Sequence, residues 1–454
     1  MNIFIAGDGE VGFYIAEALV NSNHDITIID PHEELLKMVE SHTDLLTIVG
    51  ESNSVSVLKQ AGVDKADLVI SVLHDETVNI ITAILAKKLG AKNTIARVNT
   101  MQNLNADNRK TYEELGIDHL VSPEDIAGHE VLNIINNPEV YEMFNLTNDK
   151  LSVFLIKIEK DAPVIGKSLI QIAKEHGPLN FRAVAINRNQ NSFIPFGETV
   201  FMEGDMVYVI SKPESLKDLF KLSGKHKYEI NNVMVVGGGR VGKVICRDLE
   251  SEYNIKLIET NTERCYKLTD ILQDTLIING DARSVELLDD EGIQNTDVFV
   301  AVTNDSETNI LTCLHAKKFG VKKTVALVEN LDYIEISQNI GIDSIINKKL
   351  TAASYIVKHA MGNEVSSLKK CLSGINSDIL ELIAIPGSAV TKNPIKDLKI
   401  PEGSIIGGVI RGDESFIAIG DFQILENDKV VVFALPGLAG KVEKLFQKKG
   451  FVFK

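Results

Sequence analysis

The sequence predicts an α/β protein: two Rossmann-like domains with doubly wound parallel sheets, each followed by a small α+β lobe. Three observations lead to that prediction. Short β-branched runs alternate with amphipathic stretches, a glycine-rich turn follows the first run, and the whole arrangement occurs twice. Strands that alternate with helices imply right-handed βαβ crossovers and a parallel sheet covered by helices on both faces.

An internal duplication sets the organisation of the chain. The segment that begins at Ile3 recurs from Val233, an offset of 230 residues (233 − 3). Between positions 67 and 90, 10 of 24 residues are identical at that offset, far above chance. Self-similarity at a fixed spacing indicates two copies of one structural unit.

Each copy continues into a second, smaller module. Both modules have a strand, a glutamate-x-aspartate turn (Glu203 to Asp205, Glu426 to Asp428), another strand and an amphipathic helix. A chain of 454 residues has room for two to four compact domains. We therefore divide it into Rossmann-type domains at 1–137 and 225–362 and lobes at 138–224 and 363–454.

Five strands are expected in each larger domain, because each run is short, β-branched and bounded by turn residues. In the first copy they are Asn2–Ala6, Ile26–Asp30, Leu45–Val49, Leu68–Val72 and Thr94–Val98. In the second copy they are Val233–Val236, Lys256–Glu259, Thr275–Ile278, Val298–Val302 and Thr324–Val328.

The glycine-rich turns are the first candidate binding elements. They read Gly7-Asp8-Gly9-Glu10-Val11-Gly12 and Gly237-Gly238-Gly239-Arg240-Val241-Gly242. Each follows a strand and opens a helix, the context that makes a G-x-G-x-x-G pattern indicative of dinucleotide binding. The glycines permit a tight turn, let the backbone approach a pyrophosphate and place the helix amides against the anion.

An acidic residue ends the second strand of each copy. Asp30 lies 18 residues after Gly12 (30 − 12), and Glu259 lies 17 after Gly242 (259 − 242). At that place a carboxylate accepts hydrogen bonds from a ribose diol and repels a 2′-phosphate. The sequence therefore predicts binding of NAD(H) and disfavours NADP. The alternative, a purely structural glycine turn, stays open for the second copy in particular.

Further candidates follow the other strands, because ligands of doubly wound sheets lie along the carboxyl edge. They are Gly50, Glu51, Leu73 and His74 in the first copy and Gly280, Asp281, Thr303 and Asn304 in the second. Arg97 ends the fifth strand and could donate to a nucleotide phosphate. The alternative is a surface arginine that pairs with an acidic residue of a helix. Leu327 stands at the matching place, so the two sites are expected to differ.

Charge and composition exclude several functions. With 47 Lys and Arg against 63 Asp and Glu, the net charge is −16, which disfavours nucleic acid and anionic lipid as partners. No apolar stretch is long enough to span a bilayer, and the first residues do not resemble a secretion signal.

No metal-ligand spacing, nucleophile elbow or acid–base group over a nicotinamide is evident, so we expect no catalysis. An NAD-dependent oxidoreductase of unusual domain order remains the alternative.

These motifs together resemble the tandem regulator-of-potassium-conductance family across essentially the whole chain. Besides the two glycine turns, the resemblance rests on Ala301-Val302-Thr303-Asn304-Asp305-Ser306-Glu307-Thr308-Asn309-Ile310 and on the segment 401–412. The resemblance implies a cytoplasmic regulator, peripheral on the inner face of the membrane, that binds NAD(H), ATP or ADP. It also implies assembly into a homo-oligomeric ring of four tandem chains beneath an integral membrane potassium-translocating subunit. A nucleotide-sensing regulator of a different transporter is the remaining alternative.

Overall fold

A computed structural model provides the fold. It describes residues 1–7, 10–20, 24–42, 45–99, 106–146, 150–177, 179–189, 191–212, 215–225, 228–361, 370–372 and 375–447. Asp8 and Gly9 of the first glycine turn therefore lie outside the described residues. In the described part, no helix is long and apolar enough to cross a bilayer.

The first Rossmann domain is a six-stranded parallel sheet with strand order β3-β2-β1-β4-β5-β6. Its strands are β1 (Asn2–Ala6), β2 (Asp25–Asp30), β3 (Leu46–Val49), β4 (Leu68–Ser71), β5 (Asn93–Arg97) and β6 (His119–Val121). Its helices are α1 (Glu10–Val20), α2 (Glu33–His42), α3 (Val55–Ala61), α4 (Glu76–Leu89), α5 (Ala106–Glu114) and α6 (Pro123–Asn136). The strand order reverses next to β1, which places a ligand crevice there.

The first lobe is an antiparallel sheet with order β10-β9-β11-β8-β7 and two helices. Its elements are β7 (Glu142–Leu146), β8 (Leu151–Lys157), α7 (Leu169–His176), β9 (Phe181–Arg188), β10 (Asn191–Phe193), β11 (Met206–Ser211) and α8 (Leu216–Leu222).

The second Rossmann domain repeats the first, with order β14-β13-β12-β15-β16-β17. Its strands are β12 (Asn232–Val236), β13 (Asn254–Glu259), β14 (Leu276–Asn279), β15 (Val298–Ala301), β16 (Lys323–Leu327) and β17 (Ser344–Ile346). Its helices are α9 (Arg240–Leu249), α10 (Thr262–Thr269), α11 (Val285–Asp290), α12 (Ser306–Lys318), α13 (Asp332–Asn339) and α14 (Lys348–Met361).

The second lobe has order β18-β19-β22-β20-β21. Its elements are β18 (Lys370–Leu372), β19 (Ile375–Ile383), β20 (Ser404–Arg411), β21 (Glu414–Ile417), β22 (Lys429–Ala434) and α15 (Ala439–Phe446). The predicted fold class is thus confirmed. The expectation of five strands per Rossmann domain is wrong, because β6 and β17 add a sixth that is too short to stand out in the sequence.

The glutamate-x-aspartate turn of each lobe is fixed by an arginine. The carboxylate of Asp205 is buried and accepts two hydrogen bonds of 2.7 Å from the guanidinium of Arg188. Asp428 and Arg411 repeat the arrangement at 2.9 and 2.8 Å. Bidentate charge-assisted pairs of this kind set geometry as well as energy, so both turns have the same shape.

The last helix of each Rossmann domain packs on the other copy. Helix α6 lies against α9, and its buried Ala127 and Val131 belong to the same apolar core as Ile245. Helix α14 lies against α1, where Ile356 packs in the core that contains Ile15. The two domains therefore share their cores through exchanged helices, and the two lobes likewise pack into one common core.

Candidate nucleotide sites

The first glycine turn connects β1 to α1 with little space between its ends. A Cβ atom on Gly12 would lie 3.2 Å from the Cα atom of Gly7, tighter than ordinary van der Waals contact. The amide of Gly7 donates to the carbonyl of Ile29 at 3.4 Å, which holds the turn beside the end of β2. Close helix–strand packing is the role expected of the third glycine. Helix α1 begins at Glu10 and includes Val11.

Asp30 lies beside this turn as the last residue of β2. Its side chain is buried, 1% exposed. Its Oδ1 atom accepts a hydrogen bond from the backbone amide of His32 at 2.7 Å and lies 3.0 Å from the His32 Nδ1 atom. The carboxylate is thus oriented by the start of the following loop, beside the first glycine turn.

The second glycine turn is even tighter. Gly237 has φ +103°, a backbone conformation that side chains other than glycine rarely adopt. A Cβ atom on Gly242 would lie 1.9 Å from the Gly237 carbonyl oxygen, so no larger residue fits there. Around Gly239, by contrast, a Cβ atom would meet nothing within 4 Å. That open position precedes α9, which begins with Arg240 and Val241.

Glu259 is bonded to the second glycine turn itself. Its Oε2 atom accepts from the Gly238 amide at 2.9 Å and from the Arg264 guanidinium at 3.0 Å. Its Oε1 atom accepts from the Asn261 amide at 2.7 Å. Burial acts to raise the pKa of this carboxyl, but these hydrogen bonds outweigh it and hold the pKa below its usual value. Glu259 therefore stays ionised and ties the turn to the end of β13.

Gly50 and Gly280 follow the third strands and form hydrogen bonds with the acidic residues that end the second strands. The Gly50 amide donates to the Asp30 carbonyl at 3.0 Å, and the Gly280 amide donates to the Glu259 carbonyl at 3.0 Å. Asp281, which follows Gly280, is paired with Arg283 at 2.7 Å. Glu51 follows Gly50 on the exposed side of the same edge.

Two buried asparagines that the sequence analysis did not assign shape the loops after the fourth strands. Asn79 accepts from the Leu73 amide at 2.8 Å and donates to the Arg97 carbonyl at 3.1 Å. Asn309 accepts from the Thr303 amide at 2.9 Å and donates to the Leu327 carbonyl at 2.8 Å. Each asparagine joins the ends of two neighbouring strands. The signal was available, since both asparagines occupy the same place in the two copies at the 230-residue offset.

The residues that follow in these loops, His74 and Asn304, are exposed at the carboxyl edge, whereas Leu73 is buried. In the second copy this edge borders a cleft of about 520 Å³. The lining of that cleft includes Asn304, the acids Asp305, Glu307, Glu329 and Asp332, and one lysine, Lys349. An acidic rim of this kind opposes the approach of a polyphosphate.

Arg97 ends β5 with its side chain largely buried and directed at Glu124, the second residue of α6. The Arg97 Nη2 atom lies 3.6 Å from Oε1 of Glu124. Two cations of the second domain also face that oxygen at 3.8 Å, Arg240 of the second glycine turn and Lys348 at the start of α14. One buried carboxylate therefore joins the first candidate site to the second. A phosphate that binds Arg97 must compete with Glu124.

The structure thus brings the glycine turns, the acids that end the second strands and the loops after the third and fourth strands to one edge of each sheet. Leu327 is buried at the place that Arg97 occupies in the first copy. The fold and these edges define a tandem pair of Rossmann units of the dinucleotide-binding type.

Family comparisons agree with this arrangement. The model described as the TrkA-N domain matches residues 3–123 and 233–348, and the TrkA-C domain matches residues 153–224 and 379–447. The chain belongs to the TrkA family. It is 30% identical over 452 residues to the Trk system potassium uptake protein TrkA of Halomonas elongata, covering 98% of this chain and 99% of that one. It is 31% identical over 456 residues to TrkA homolog 1 of Methanosarcina mazei, covering 98% and 100%.

Solved structures share the fold at lower identity. The GsuK channel superposes with a TM-score of 0.60 at 17% identity, covering 98% of this chain and 78% of that chain. The GsuK channel bound to NAD gives a TM-score of 0.59 at 16% identity, with coverage of 98% and 78%.

Proposed function

We propose that this protein is a non-enzymatic, nucleotide-sensing regulatory subunit of a Trk-type potassium uptake system. The observation that carries the proposal is the pair of Rossmann edges, each with a glycine turn and a buried acid, joined through Glu124 and the exchanged helices α6 and α14. A ligand changes the conformation of a protein only through different affinities for two states. Because the two sites share a core and one counter-ion, a nucleotide bound at either site can have different affinities for two conformations of the protein.

NAD(H) is the proposed ligand, with ATP and ADP as further candidates. Asp30 and Glu259 are suited to accept hydrogen bonds from a ribose diol, and either carboxylate repels the additional phosphate of NADP. The contacts proposed are the glycine turns, both acids, and the edge residues Gly50, Glu51, Leu73, His74, Arg97, Gly280, Asp281, Thr303 and Asn304. A GsuK structure with NAD and another with ADP, both sharing this fold, support the ligand class.

Assembly into a homo-oligomer, a ring of four tandem chains, is supported by apolar residues at matching surface positions. Leu46 and Leu276 are exposed on the edge strands of the two Rossmann sheets. Ile81 on α4 and Leu311 on α12 are likewise exposed. Because these side chains are exposed at the same places in both copies, we propose that contacts between chains cover them. We place the ring on the cytoplasmic face of the membrane, attached to an integral potassium-translocating subunit.

The experiment uses the open position at Gly239. Gly239→Asp puts a negative side chain where a pyrophosphate would lie, and Gly239→Ala is the matched control, since a Cβ atom there meets nothing. Gly9→Asp is the companion variant in the first copy. Growth in limiting potassium and NADH binding by calorimetry would be measured for folded variants. We expect the double Asp variant to lose both, and the Ala control to keep both.

Normal growth of a folded double Asp variant would remove nucleotide gating as the function. Turnover of NADH in the presence of a substrate panel would instead identify an oxidoreductase. Sedimentation with membranes that lack the potassium subunit would contradict the proposed attachment.

A further inference from the structure

Another cavity lies where the two lobes meet, and the residues that line it all belong to the lobes. Its volume is about 710 Å³, within the range of pockets that hold small organic molecules. The first lobe supplies most of the lining, including Ile158, Leu169 and Phe201, and the second lobe closes one side with Ile405 and Phe416. The lining is mainly apolar, so the cavity suits an apolar molecular body.

Two cations lie in this lining, and none of the described residues that line it is acidic. They are Arg182 at the start of β9 and Lys212 just after β11. The Lys212 Nζ atom lies 5.9 Å from the centre of the Phe416 ring. The charged side chains of this lining are thus all positive, which favours an anion.

Arg182 is a largely buried cation that has no carboxylate partner among the described residues. Its Nη1 atom donates to the carbonyl of Ile406 at 3.0 Å and to the carbonyl of Ala418, both in the second lobe. Burial lowers the pKa of its guanidinium, but an arginine stays charged in a protein. Carbonyl oxygens satisfy its hydrogen bonds without neutralising it, and an unpaired buried charge is costly.

The duplicated lobe shows that the fold does not need these cations. At the offset of 223 that aligns Arg188 with Arg411, Arg182 corresponds to Ile405 and Lys212 corresponds to Leu435. The second lobe has the same strand order with apolar residues at both places. The cations are therefore specific to the first lobe and its cavity.

We propose that this cavity binds an amphiphilic anion of the fatty-acid class, with its alkyl chain among the apolar side chains and its carboxylate at Lys212 and Arg182. The carboxylate supplies the counter-charge that Arg182 lacks. The alkyl chain covers apolar surface that is open to solvent, including the exposed rim residues Phe196 and Ile419. This ligand class differs from the nucleotides proposed for the Rossmann edges, and the two sites share no residue.

The test is calorimetric titration of the full-length protein with dodecanoate below its micellar concentration. Dodecyltrimethylammonium, which has the same chain and the opposite charge, is the matched ligand control. We expect saturable binding of one dodecanoate per chain and binding of the cation that is weaker by at least about tenfold, because charge-assisted contacts are lost. Lys212→Leu, which installs the residue of the second lobe, should weaken dodecanoate binding by about tenfold.

A second pair of variants tests the cavity without changing either of the cations that line it. Ala173 is an exposed residue of α7 that lines the cavity, so Ala173→Trp fills its mouth without disturbing the core. Lys174→Trp, at the next exposed position of the same helix and outside the lining, is the control. We expect the first variant to abolish dodecanoate binding and the second to retain it, with equal melting temperatures.

Three results would overturn the proposal. The first is no binding of dodecanoate to the folded wild type. The second is equal binding of dodecanoate and its cationic analogue, which indicates unspecific adsorption. The third is unchanged binding by Ala173→Trp. If dodecanoate fails to bind and Ala173→Trp abolishes a concentration-dependent dimer in sedimentation, the groove belongs to an interface between two copies of this chain.

Discussion

The Arg97 guanidinium faces the carboxylate of Glu124, with Nη2 and Oε1 3.6 Å apart. Arg97 belongs to the first Rossmann sheet, whereas Glu124 lies in the first turn of the helix that packs on the second domain. The contact therefore lies on the path between the two candidate sites. The first two predictions follow from it.

Glu124→Gln should strengthen ATP binding by about 1 kcal/mol, roughly fivefold, because a negative charge no longer competes with phosphates for Arg97 and Arg240. The same change should lower the melting temperature, since two arginines and Lys348 lose their common carboxylate. Calorimetry and thermal melts check both effects. Glu113→Gln, exposed on α5, is the control. Weaker ATP binding by the folded Glu124→Gln variant would contradict the competition.

Arg97→Leu should make the first site resemble the second, which has Leu327. We expect ATP affinity at the first site to fall by about 1–3 kcal/mol, the scale of a lost charge-assisted contact. Binding of adenosine, which has no phosphate, should change little. Titration would contradict the asymmetry if the wild type has two identical sites and Arg97→Leu alters neither.

Asp30→Ala and Glu259→Ala should each weaken NADH binding by about 1–3 kcal/mol at its own site. Asp30→Ala should also relax the discrimination against NADPH, since the repelling carboxylate is absent. The consequences for the fold differ, because Glu259 holds the Gly238 amide. Only Glu259→Ala should therefore increase hydrogen exchange in its glycine turn. Unchanged NADH affinity in folded variants would limit these acids to a structural role.

Gly128→Ala tests the exchanged helices. A Cβ atom on Gly128 of α6 would lie 2.7 Å from Cγ1 of Val244 on α9. Overpacking costs about 1–3 kcal/mol, more than the gain of about 1 kcal/mol from a better helix former. We expect a lower urea midpoint for Gly128→Ala and recovery when Val244→Ala is added. Gly440→Ala, where a Cβ meets nothing, is the control, and its midpoint should not fall. Additive effects of the two substitutions would contradict direct contact.

Lys323 predicts a pH dependence of stability. Its Nζ atom is buried and donates to the Val140 carbonyl at 2.5 Å, which joins β16 to the first lobe. Burial lowers the pKa of Lys323, and so do the charges of Lys225 and Lys317, whereas the charges of Asp343 and Glu139 raise it. The net result is a pKa lowered from 10.5 to about 7. Between pH of about 7 and pH 10.5, Lys323 keeps its proton in the unfolded chain and loses it in the folded one. Stability should therefore rise with pH in that window, by up to about 1.4 kcal/mol per pH unit.

Lys323→Met removes this titration and keeps the length of the side chain. We expect the variant to be more stable than the wild type at pH 6 to 7, with the difference narrowing towards pH 10, as measured by urea midpoints. Lys322→Met is the control, because Lys322 is exposed and paired with Asp297. A difference that does not vary with pH would show that Lys323 keeps its proton throughout.

The parts of the fold that were predictable from the sequence are those set by local periodicity. The central strands are continuous apolar runs, and their ends were placed within one residue at Asp30 and Glu259. The glycine turns were evident because backbone geometry dictates residue type there. The strand β6 was missed, since His119–Val121 is too short for a pattern.

The partners of the site residues were not predictable, because they depend on contacts between distant segments. For Arg97 the sequence left open a phosphate or a helix acid, and it did not indicate that the acid is Glu124, on a helix shared with the other copy. Likewise, the sequence predicts Glu259 as an acceptor for a ribose diol. Its hydrogen bond with the Gly238 amide was not predictable, because the two residues are 21 positions apart in the chain. Whether nucleotides displace these contacts remains a prediction.

The exchange of α6 and α14 has a consequence for how such a chain can evolve. Neither half can bury its own core without the terminal helix of the other, so a single-copy ancestor with this packing had to pair with itself. In a chain that carries both copies, the pairing is one to one and the halves need not be identical. Divergence such as Leu327 opposite Arg97, or Ile405 opposite Arg182, became tolerable in one half only. Loss of either half would expose the core of the other, which ties the two sites to a common inheritance.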